Sequence, residues 1–451
     1  MADQIAISHT VSVAAGRFAP GHLGELTRLI PFEMIDEALT ATRRTQQRVR
    51  LLPARVTVYL LLAGCLFADL GYRQVWSKLV AGLHALPAAT PSSSALRQAR
   101  QRLGPAPLRA LFDLLRGPAA TSTTQVWWHG LLPVVIDGTI LTVADSPANL
   151  ARYVKQRGNH GGSGYPTLRL SALLSCGTRS VLDAVFDPIT TGEITQAEHL
   201  ARSLRAGMLL LADRGYDVAH LITTLAATKA DLLIRCTGNR KLPVIRRHRD
   251  GSWLSVIGQL PVRVIQAQIS ITTTSGTRTG DYRLITTLLD PQRYPAADLA
   301  QLYHRRWEIE TAYLELKSSI LGGRVLRART PTGIDQEVHA LLITYQLLRT
   351  AMVDATDSQP GLDPDRASFT TALNAARDQI IQAAGIIAGT VIDLVGVIGE
   401  HVLANLLPDR RIRTKTRMIK RSNSKYQARG PNIDRRTYQA TTSINVITDE
   451  P

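Results

Sequence analysis

Short apolar runs between residues 131 and 236 constrain the fold of this chain more than any other feature. They read LLPVVIDGTILTVAD, TLRLSALLSCG, SVLDAVFD, GMLLLADRGY and ADLLIRC. Runs of this length that are rich in Leu, Val and Ile indicate strands. A helix predicted from Gln196 to Ala206 separates the third run from the fourth, and a second helix follows the fourth. This order predicts a mixed α/β sheet whose first three strands form a meander.

The region before these strands is predicted to be helical, because apolar residues recur at helical spacing from about residue 20 to about residue 120. A break at TPSSS precedes ALRQARQRLG, a predicted basic helix that carries Arg97, Arg100 and Arg102. These arginines favour recognition of a DNA end, although a solvated helix face explains them equally well. We therefore predict an N-terminal helical DNA-binding domain over residues 1–125.

The region after these strands contains a β-rich segment, then helices and then a basic run. Residues 241–289 are β-rich, with the alternating run VRVIQAQISITTT and a hairpin turn in TSGTRTGDY. A long helix is predicted from Ala296 to about Ser319, ending at Gly322 and Gly323. More helices follow to about residue 407, and then a cationic run over residues 409–430. We predict a domain over 126–350 with an insertion at 241–289, and a C-terminal helical region with a basic tail over 351–451.

The formal net charge of +17 indicates a polyanionic partner, most often nucleic acid. The N-terminus lacks the pattern of a signal peptide. The apolar stretch at residues 56–70 is too short to span a membrane, and the stretch at 380–407 is interrupted by charged residues. We therefore expect a cytosolic protein without a membrane partner.

Two aspartates lie in the apolar runs. Asp137 is in the middle of VVIDGT, and Asp213 ends the apolar part of LLLADRGY. A carboxylate in such a position is unfavourable unless it is paired or binds a cation. Mg²⁺ prefers carboxylate oxygens, and two such ions about 4 Å apart can activate a nucleophile and stabilise a leaving oxygen. The pattern indicates a divalent metal site that needs a third carboxylate.

The segment YHRRWEIETAYLELK supplies that carboxylate. At about 100° per residue, Tyr303, Arg306, Glu310 and Lys317 lie along one stripe of a helix. Glu310 can bind metal, Arg306 and Lys317 can hold phosphates, and Tyr303 can add a hydrogen bond. The alternative is an ordinary solvated face with an Arg306–Glu310 ion pair.

The spacing Y-x2-R-x3-E-x6-K resembles the YREK signature of the insertion-sequence transposases of family four. The DGT and ADRGY segments resemble the places where that family carries its first two catalytic aspartates, and SALRQARQRLG resembles the stretch before its catalytic domain. The resemblance implies an RNase H-like domain with a β-rich insertion, in which Asp137, Asp213 and Glu310 are catalytic. It also implies two Mg²⁺ ions, which Mn²⁺ can replace.

The same resemblance implies what the enzyme acts on and how. Its expected partner is double-stranded DNA, both the terminal inverted repeats of a transposon and the target, bound by a homodimer. In such enzymes the transposon end is nicked, sealed into a hairpin, reopened and joined to the target. An aromatic side chain of the insertion stacks on a flipped base. Tyr282 occupies that position where Trp is usual, and Trp253 is the rival. Arg214 either contacts DNA or neutralises nearby carboxylates.

The function predicted from the sequence is therefore a cut-and-paste DNA transposase of the DDE type. Two alternatives remain open at this point. One is a catalytically silent, domesticated DNA-binding protein, and the other is an RNase H-like nuclease that only hydrolyses DNA.

Overall fold

The computed structural model describes residues 10–13, 17–46, 48, 50–83, 87–119, 126–155, 164–274, 276–383, 396–408, 413–415 and 437–447. The chain forms two compact units. The first, called here the helical unit, comprises Met1–Thr123, Leu141–Tyr153 and Ala312–Leu407. The second, called the sheet unit, comprises Thr124–Ile140, Val154–Thr311 and Pro408–Pro451.

The strands in the described part of the chain are β1 Thr10–Val13, β2 Arg17–Pro20, β3 Leu132–Thr142, β4 Thr167–Ser175, β5 Val181–Pro188, β6 Met208–Ala212, β7 Asp231–Arg235, β8 Arg246–Arg247, β9 Trp253–Ile257, β10 Leu260–Thr273, β11 Gly276–Thr286, β12 Arg413–Lys415 and β13 Thr437–Val446.

The α-helices in the same part are α1 Phe32–Ala41, α2 Ala54–Leu66, α3 Tyr72–Val80, α4 Ser93–Leu103, α5 Ala106–Leu115, α6 Pro147–Leu150, α7 Glu193–Leu200, α8 Ala219–Ala227, α9 Ala296–Leu302, α10 Glu308–Leu314, α11 Pro331–Asp357, α12 Phe369–Ile381 and α13 Gly396–Ala404. Short 3₁₀ segments lie at Leu26–Arg28, Ala201–Ser203, Arg214–Tyr216, Tyr303–Trp307 and Pro364–Arg366, and a π-helical segment lies at Glu315–Ile320.

A mixed sheet organises the sheet unit, with the neighbour order β12-β13-β10-β11-β7-β6-β3-β4-β5. The pairs β3–β6 and β6–β7 are parallel, whereas β4–β5, β7–β11 and β10–β11 are antiparallel. All five residues of β6 are buried, which explains its uninterrupted apolar sequence. The order β5-β4-β3-β6-β7 is that of an RNase H-like sheet, and it confirms the predicted α/β class and the meander of the first three strands.

The insertion predicted at 241–289 contains β8 to β11. β10 and β11 form a long hairpin that adds to the edge of β7, and β13 pairs with β10. Arg263 anchors this layer, because its fully buried guanidinium binds the Asp250 carboxylate, the Ser252 hydroxyl and the Tyr294 carbonyl.

The helical unit is built around α2 and α11. Pro53 precedes α2 in an extended conformation, and the helix that follows is buried over nearly its whole length. The hydroxyl of Thr330 accepts a hydrogen bond from the Gly333 N–H at the start of α11, the usual role of an N-cap residue. A buried ion pair between Glu315 and Arg349, joined by the Tyr345 hydroxyl, ties the π-helical segment to α11.

Two details differ from the sequence prediction. The single helix expected from Ala296 to Ser319 is wrong, because 3₁₀ turns interrupt it at Tyr303–Trp307 and a π-helical turn follows at Glu315–Ile320. Apolar spacing detects a helix but not a change in residues per turn. The first helix after β5 begins at Glu193, three residues before the predicted start.

The predicted division at 125 and 350 remains a prediction. Most of the basic run lies outside the described residues, except for the three residues of β12. Within the described part of the chain, no helix has the length and hydropathy that a membrane crossing needs.

Candidate active site

Asp137 lies on β3, directly after five buried residues. Its Oδ1 accepts a hydrogen bond of 2.8 Å from the N–H of Gly138. Burial raises the pKa of Asp137 to about 6; the Gly138 N–H and the charge of Arg306 oppose this effect, and the carboxylates of Glu193 and Glu310 add to it. The strand thus holds a carboxylate whose charged form is disfavoured by burial, in spite of the positive charge of Arg306.

Asp213 comes directly after β6, the parallel neighbour of β3. Val135 lies opposite Leu211 in the register, so Asp137 and Asp213 lie at the same level of two strands that run about 4.8 Å apart. After Asp213 the chain turns into a 3₁₀ segment, where the Tyr216 N–H donates to the Asp213 carbonyl at 2.9 Å. Hydrogen bonding within the sheet therefore brings the two aspartates together.

The segment from Tyr303 to Glu310 joins the same site. The Tyr303 hydroxyl donates to the Ala212 carbonyl at 3.1 Å and lies 3.4 Å from Oδ1 of Asp213. The guanidinium of Arg306 lies 3.9 Å from Oε1 of Glu310. Tyr303 and Arg306 are buried, while about half of the Glu310 side chain is exposed. Tyr303 thus fixes the segment to β6, and the segment exposes the Glu310 carboxylate to solvent.

Arg306 is the shared partner of these acids. Burial lowers the pKa of Arg306, but Tyr303 and then the carboxylates of Asp213, Asp137 and Glu310 raise it, and the net shift is upward. The Nε–H of Arg306 is buried and donates to no acceptor in the described part of the protein. The charge of Arg306 thus acts on the three carboxylates, and its buried Nε–H has no acceptor among the described residues.

The three carboxylates fit a hard divalent cation by their chemistry, since oxygen ligands are what Mg²⁺ prefers. The burial of Asp137 and the excess of negative charge around Arg306 are the physical reasons for a cation at this place. Within the described residues, no three acidic, His or Cys side chains already stand close enough together to hold a metal ion. The acids share Arg306 instead.

Comparison with known protein families shows which kind of protein carries this site. Residues 20–113 match the family model described as the insertion element 4 transposase N-terminal. Residues 128–347 match the model of the transposase DDE domain. The chain belongs to the insertion element 4 family of DDE transposases. It is accordingly an enzyme that binds DNA and uses divalent metal.

Two further comparisons place this transposase among known proteins. The transposase InsG for insertion sequence element IS4 of Escherichia coli K12 is 26% identical over 415 residues, which cover 87% of this chain and 91% of that relative. A cryo-EM structure of the piggyBac transposase synaptic complex with hairpin DNA covers 85% of both chains, with 11% identity and a TM-score of 0.42.

Tyr282 of the transposase lies beside the acidic site. Its ring is 6.5 Å from the Tyr303 ring, in an edge-on arrangement, and the Arg235 guanidinium lies 4.0 Å from the Tyr282 ring centre. Tyr282, Arg214 and Arg235 line a cavity of about 250 Å³. Trp253, the rival aromatic, packs against the hydrophobic core of the sheet unit. The geometry favours Tyr282 as the stacking residue.

The remaining predicted DNA contacts lie in the helical unit. Lys317 is in the π-helical segment and half-buried. Arg97 is exposed on α4, whereas the Arg100 guanidinium stacks 4.0 Å from the centre of the Tyr72 ring. Arg102 lies at the end of α4, in a cavity with other arginines.

Glu193 is a residue of the site that the sequence analysis missed. A Cβ on Gly138 would lie 3.3 Å from Oε1 of Glu193, so this carboxylate borders the backbone beside Asp137. The Glu193 side chain also lies 3.5 Å from Arg169. The sequence does contain a signal for this residue, because Gly192 followed by an acidic residue is a common helix start. Glu193 accordingly lies in the first turn of α7.

Proposed function

We propose that this transposase cuts DNA at transposon ends and joins the freed ends to target DNA. The observation that carries the proposal is that Asp137 and Asp213 lie at the same level of two neighbouring strands, while Glu310 lies on the segment fixed to β6, 3.9 Å from the buried Arg306 guanidinium. Two of these acids come from neighbouring parallel strands, and the third comes from the segment hydrogen-bonded to β6. Two Mg²⁺ ions, or Mn²⁺ in their place, would activate a water and stabilise the departing 3′-oxygen.

Each residue of the site has a proposed task. Asp137, Asp213 and Glu310 would hold the ions through their carboxylate oxygens. Arg306 would donate its free Nε–H to a phosphate oxygen, a contact that a planar guanidinium makes well. Tyr303 would hold the Asp213 carboxylate in place through its hydroxyl.

The DNA end would be held by further side chains. Tyr282 would stack on an unpaired base, with Arg235 behind its ring, and Arg214 would bind an adjacent phosphate. Lys317 completes the signature as a phosphate ligand, and Arg97 is an exposed cation for the DNA end.

The wider organisation is also part of the proposal. Residues 1–125 would bind the end, 126–350 would carry the chemistry, and 351–451 would form the C-terminal helices and basic tail. Joining two ends requires two active sites, so we propose a homodimer on DNA that works in the bacterial cytosol.

The test is cleavage of DNA that carries the element's inverted repeat, with Mg²⁺ as the metal. Wild type is compared with Asp137→Ala, Asp213→Ala and Glu310→Ala, and with the control Glu198→Ala, an acid of α7 that pairs with His220. The three site variants should lose cleavage but still bind DNA without metal, and the control should cleave normally. Cleavage by Glu310→Ala at the wild-type rate would show that the assignment is wrong.

A further inference from the structure

Four arginines lie close together in the connection between α1 and α2, which reads TRRTQQRVRLLP. Arg43, Arg44, Arg48 and Arg50 line one cavity of about 340 Å³ in the helical unit, and Arg102 from the end of α4 lines it too. The other lining residues are Thr45, Gln46, Ala54 and Leu103. Among the described residues, the wall of this arginine pocket, as we call it, contains no acidic residue.

The arginines of the pocket differ from others in the same unit. Arg55 pairs with Asp36, Arg109 with Asp335 and Arg28 with Asp354. By contrast, no ion pair to a described residue is formed by any of the five arginines that line the pocket. Guanidinium groups that crowd together without counter-charge repel one another, and an anion from outside relieves that repulsion.

The pocket is built by specific contacts and is not merely a region of exposed loop. At the end of α1 the Arg44 N–H donates to the Leu39 carbonyl, and Arg43 adopts a φ of 54°. The Arg44 side chain then donates to the Arg102 carbonyl at 3.2 Å, which fastens the connection to the end of α4. Two elements that are 58 residues apart in sequence thus share one basic wall.

Arg102 provides a second and independent observation. Its Nε is buried and has no acceptor among the described atoms. Burial, and then the nearby charge of Arg50, lower the pKa of Arg102. A buried N–H without an acceptor is unfavourable, and an anionic oxygen in the pocket would satisfy it.

We propose that the arginine pocket binds the phosphodiester backbone of DNA, as a contact site separate from the residues of the signature. The inference rests on the proposed function for its ligand, because it takes DNA to be the substrate. Arginine forks match phosphate oxygens, and contacts to phosphate carry no information about base sequence. Binding here is therefore independent of base sequence.

The experiment measures the salt dependence of binding, without metal, for two duplexes. One carries the transposon end and the other is unrelated. The pocket variant is Arg48→Gln with Arg50→Gln, both at exposed positions. The matched control, Arg73→Gln with Lys78→Gln, removes two charges from α3 of the same unit. Thermal melting verifies that all variants are folded.

The plot of log affinity against log salt should become shallower by about 1.8 in the pocket variant, because each phosphate contact contributes about 0.9 to the slope. The change should be equal for both duplexes and absent in the control. Arg48→Lys with Arg50→Lys should keep most of the slope, since it keeps the charge. An unchanged slope, an equal change in the control, or a loss confined to the end duplex would each overturn the proposal.

The result is separable from the proposed function. Binding without metal requires no cleavage, so the salt slope can be measured whether or not the protein cleaves DNA. If wild type failed to cleave but the pocket variant had a shallower slope, the catalytic proposal would fail and the pocket would stand. If wild type cleaved normally and the pocket variant kept the wild-type slope, the catalytic proposal would stand and the pocket proposal would fail.

Discussion

The carboxylate of Asp137 should destabilise the metal-free fold, so that Asp137→Asn makes the protein more stable while removing a metal ligand. Burial is the main reason the Asp137 pKa rises from 3.8 to about 6, and the charges of Glu193 and Glu310 contribute. The amide of Asn keeps an oxygen that can accept the Gly138 N–H and carries no charge. The substitution therefore removes the unfavourable charge and retains the local hydrogen bond.

The size of the effect follows from that rise in pKa. A tenfold change in proton affinity corresponds to about 1.4 kcal/mol, so the rise to about 6 corresponds to about 3 kcal/mol. The side chain keeps some solvent contact, which screens the charge and reduces the expected gain to about 1–2 kcal/mol.

The sign depends on pH. Between pH 3.8 and about 6 the folded protein binds a proton at Asp137 that the unfolded chain has already released. Stability contributed by this group therefore falls as pH rises through that window, and above it the full penalty is present. The advantage of Asp137→Asn should be complete at pH 8 and should disappear as the pH approaches 4.

The assay is urea unfolding with EDTA at pH 8 and at pH 4.5. Asp137→Asn should raise the free energy of unfolding at pH 8 and raise it by clearly less at pH 4.5, where the penalty is only partly present. Added Mg²⁺ should stabilise wild type more than the variant. The control Asp298→Asn changes an acid of the same unit whose side chain is about half exposed, and it should change little at either pH. A variant that is less stable than wild type at pH 8 would refute the reasoning.

Three further predictions concern other parts of the protein. Arg263→Met should lower the free energy of unfolding by about 3 kcal/mol, because it leaves Asp250 without its buried partner; a midpoint of urea unfolding equal to wild type would contradict this. Glu315→Gln should destabilise the protein by a similar amount, about 3 kcal/mol, since it removes the counter-charge of the buried Arg349; thermal unfolding followed by circular dichroism measures the loss. Tyr282→Ala should weaken binding of nicked end DNA by about 1–3 kcal/mol, whereas Tyr282→Phe should not, and equal losses in titrations of the two variants would exclude stacking.

Much of the fold was predictable because local sequence patterns encode local structure. The apolar runs specified the strands of the central sheet, and their order specified a mixed topology. The place of Asp137 inside one run and of Asp213 at the end of another followed from the same pattern. The YREK spacing pointed to the segment that carries Glu310. The assignments of these three acids as metal ligands remain predictions, as the proposed experiments are their test.

Other features were not predictable, because they depend on residues distant in sequence. The helix expected over 296–319 changes its number of residues per turn where Tyr303 bonds to the carbonyl of Ala212. Glu193 was missed because only the folding of α7 against the sheet brings it beside Gly138. Trp253 and Tyr282 were rival candidates in the sequence, and their neighbours in the fold differ. Tyr282 lies 6.5 Å from the Tyr303 ring, whereas Trp253 packs against the hydrophobic core of the sheet unit.

By itself, then, the sequence determined the sheet class, the meander of its first strands and the residue types of the acidic site. These depend on hydrophobic periodicity and spacing, which act over a few residues at a time. Only the tertiary structure decided that one guanidinium, Arg306, serves three acids and that arginines from α4 and the α1–α2 connection form one pocket. Electrostatic interactions between side chains depend on distance through space, and the folded packing alone sets that distance.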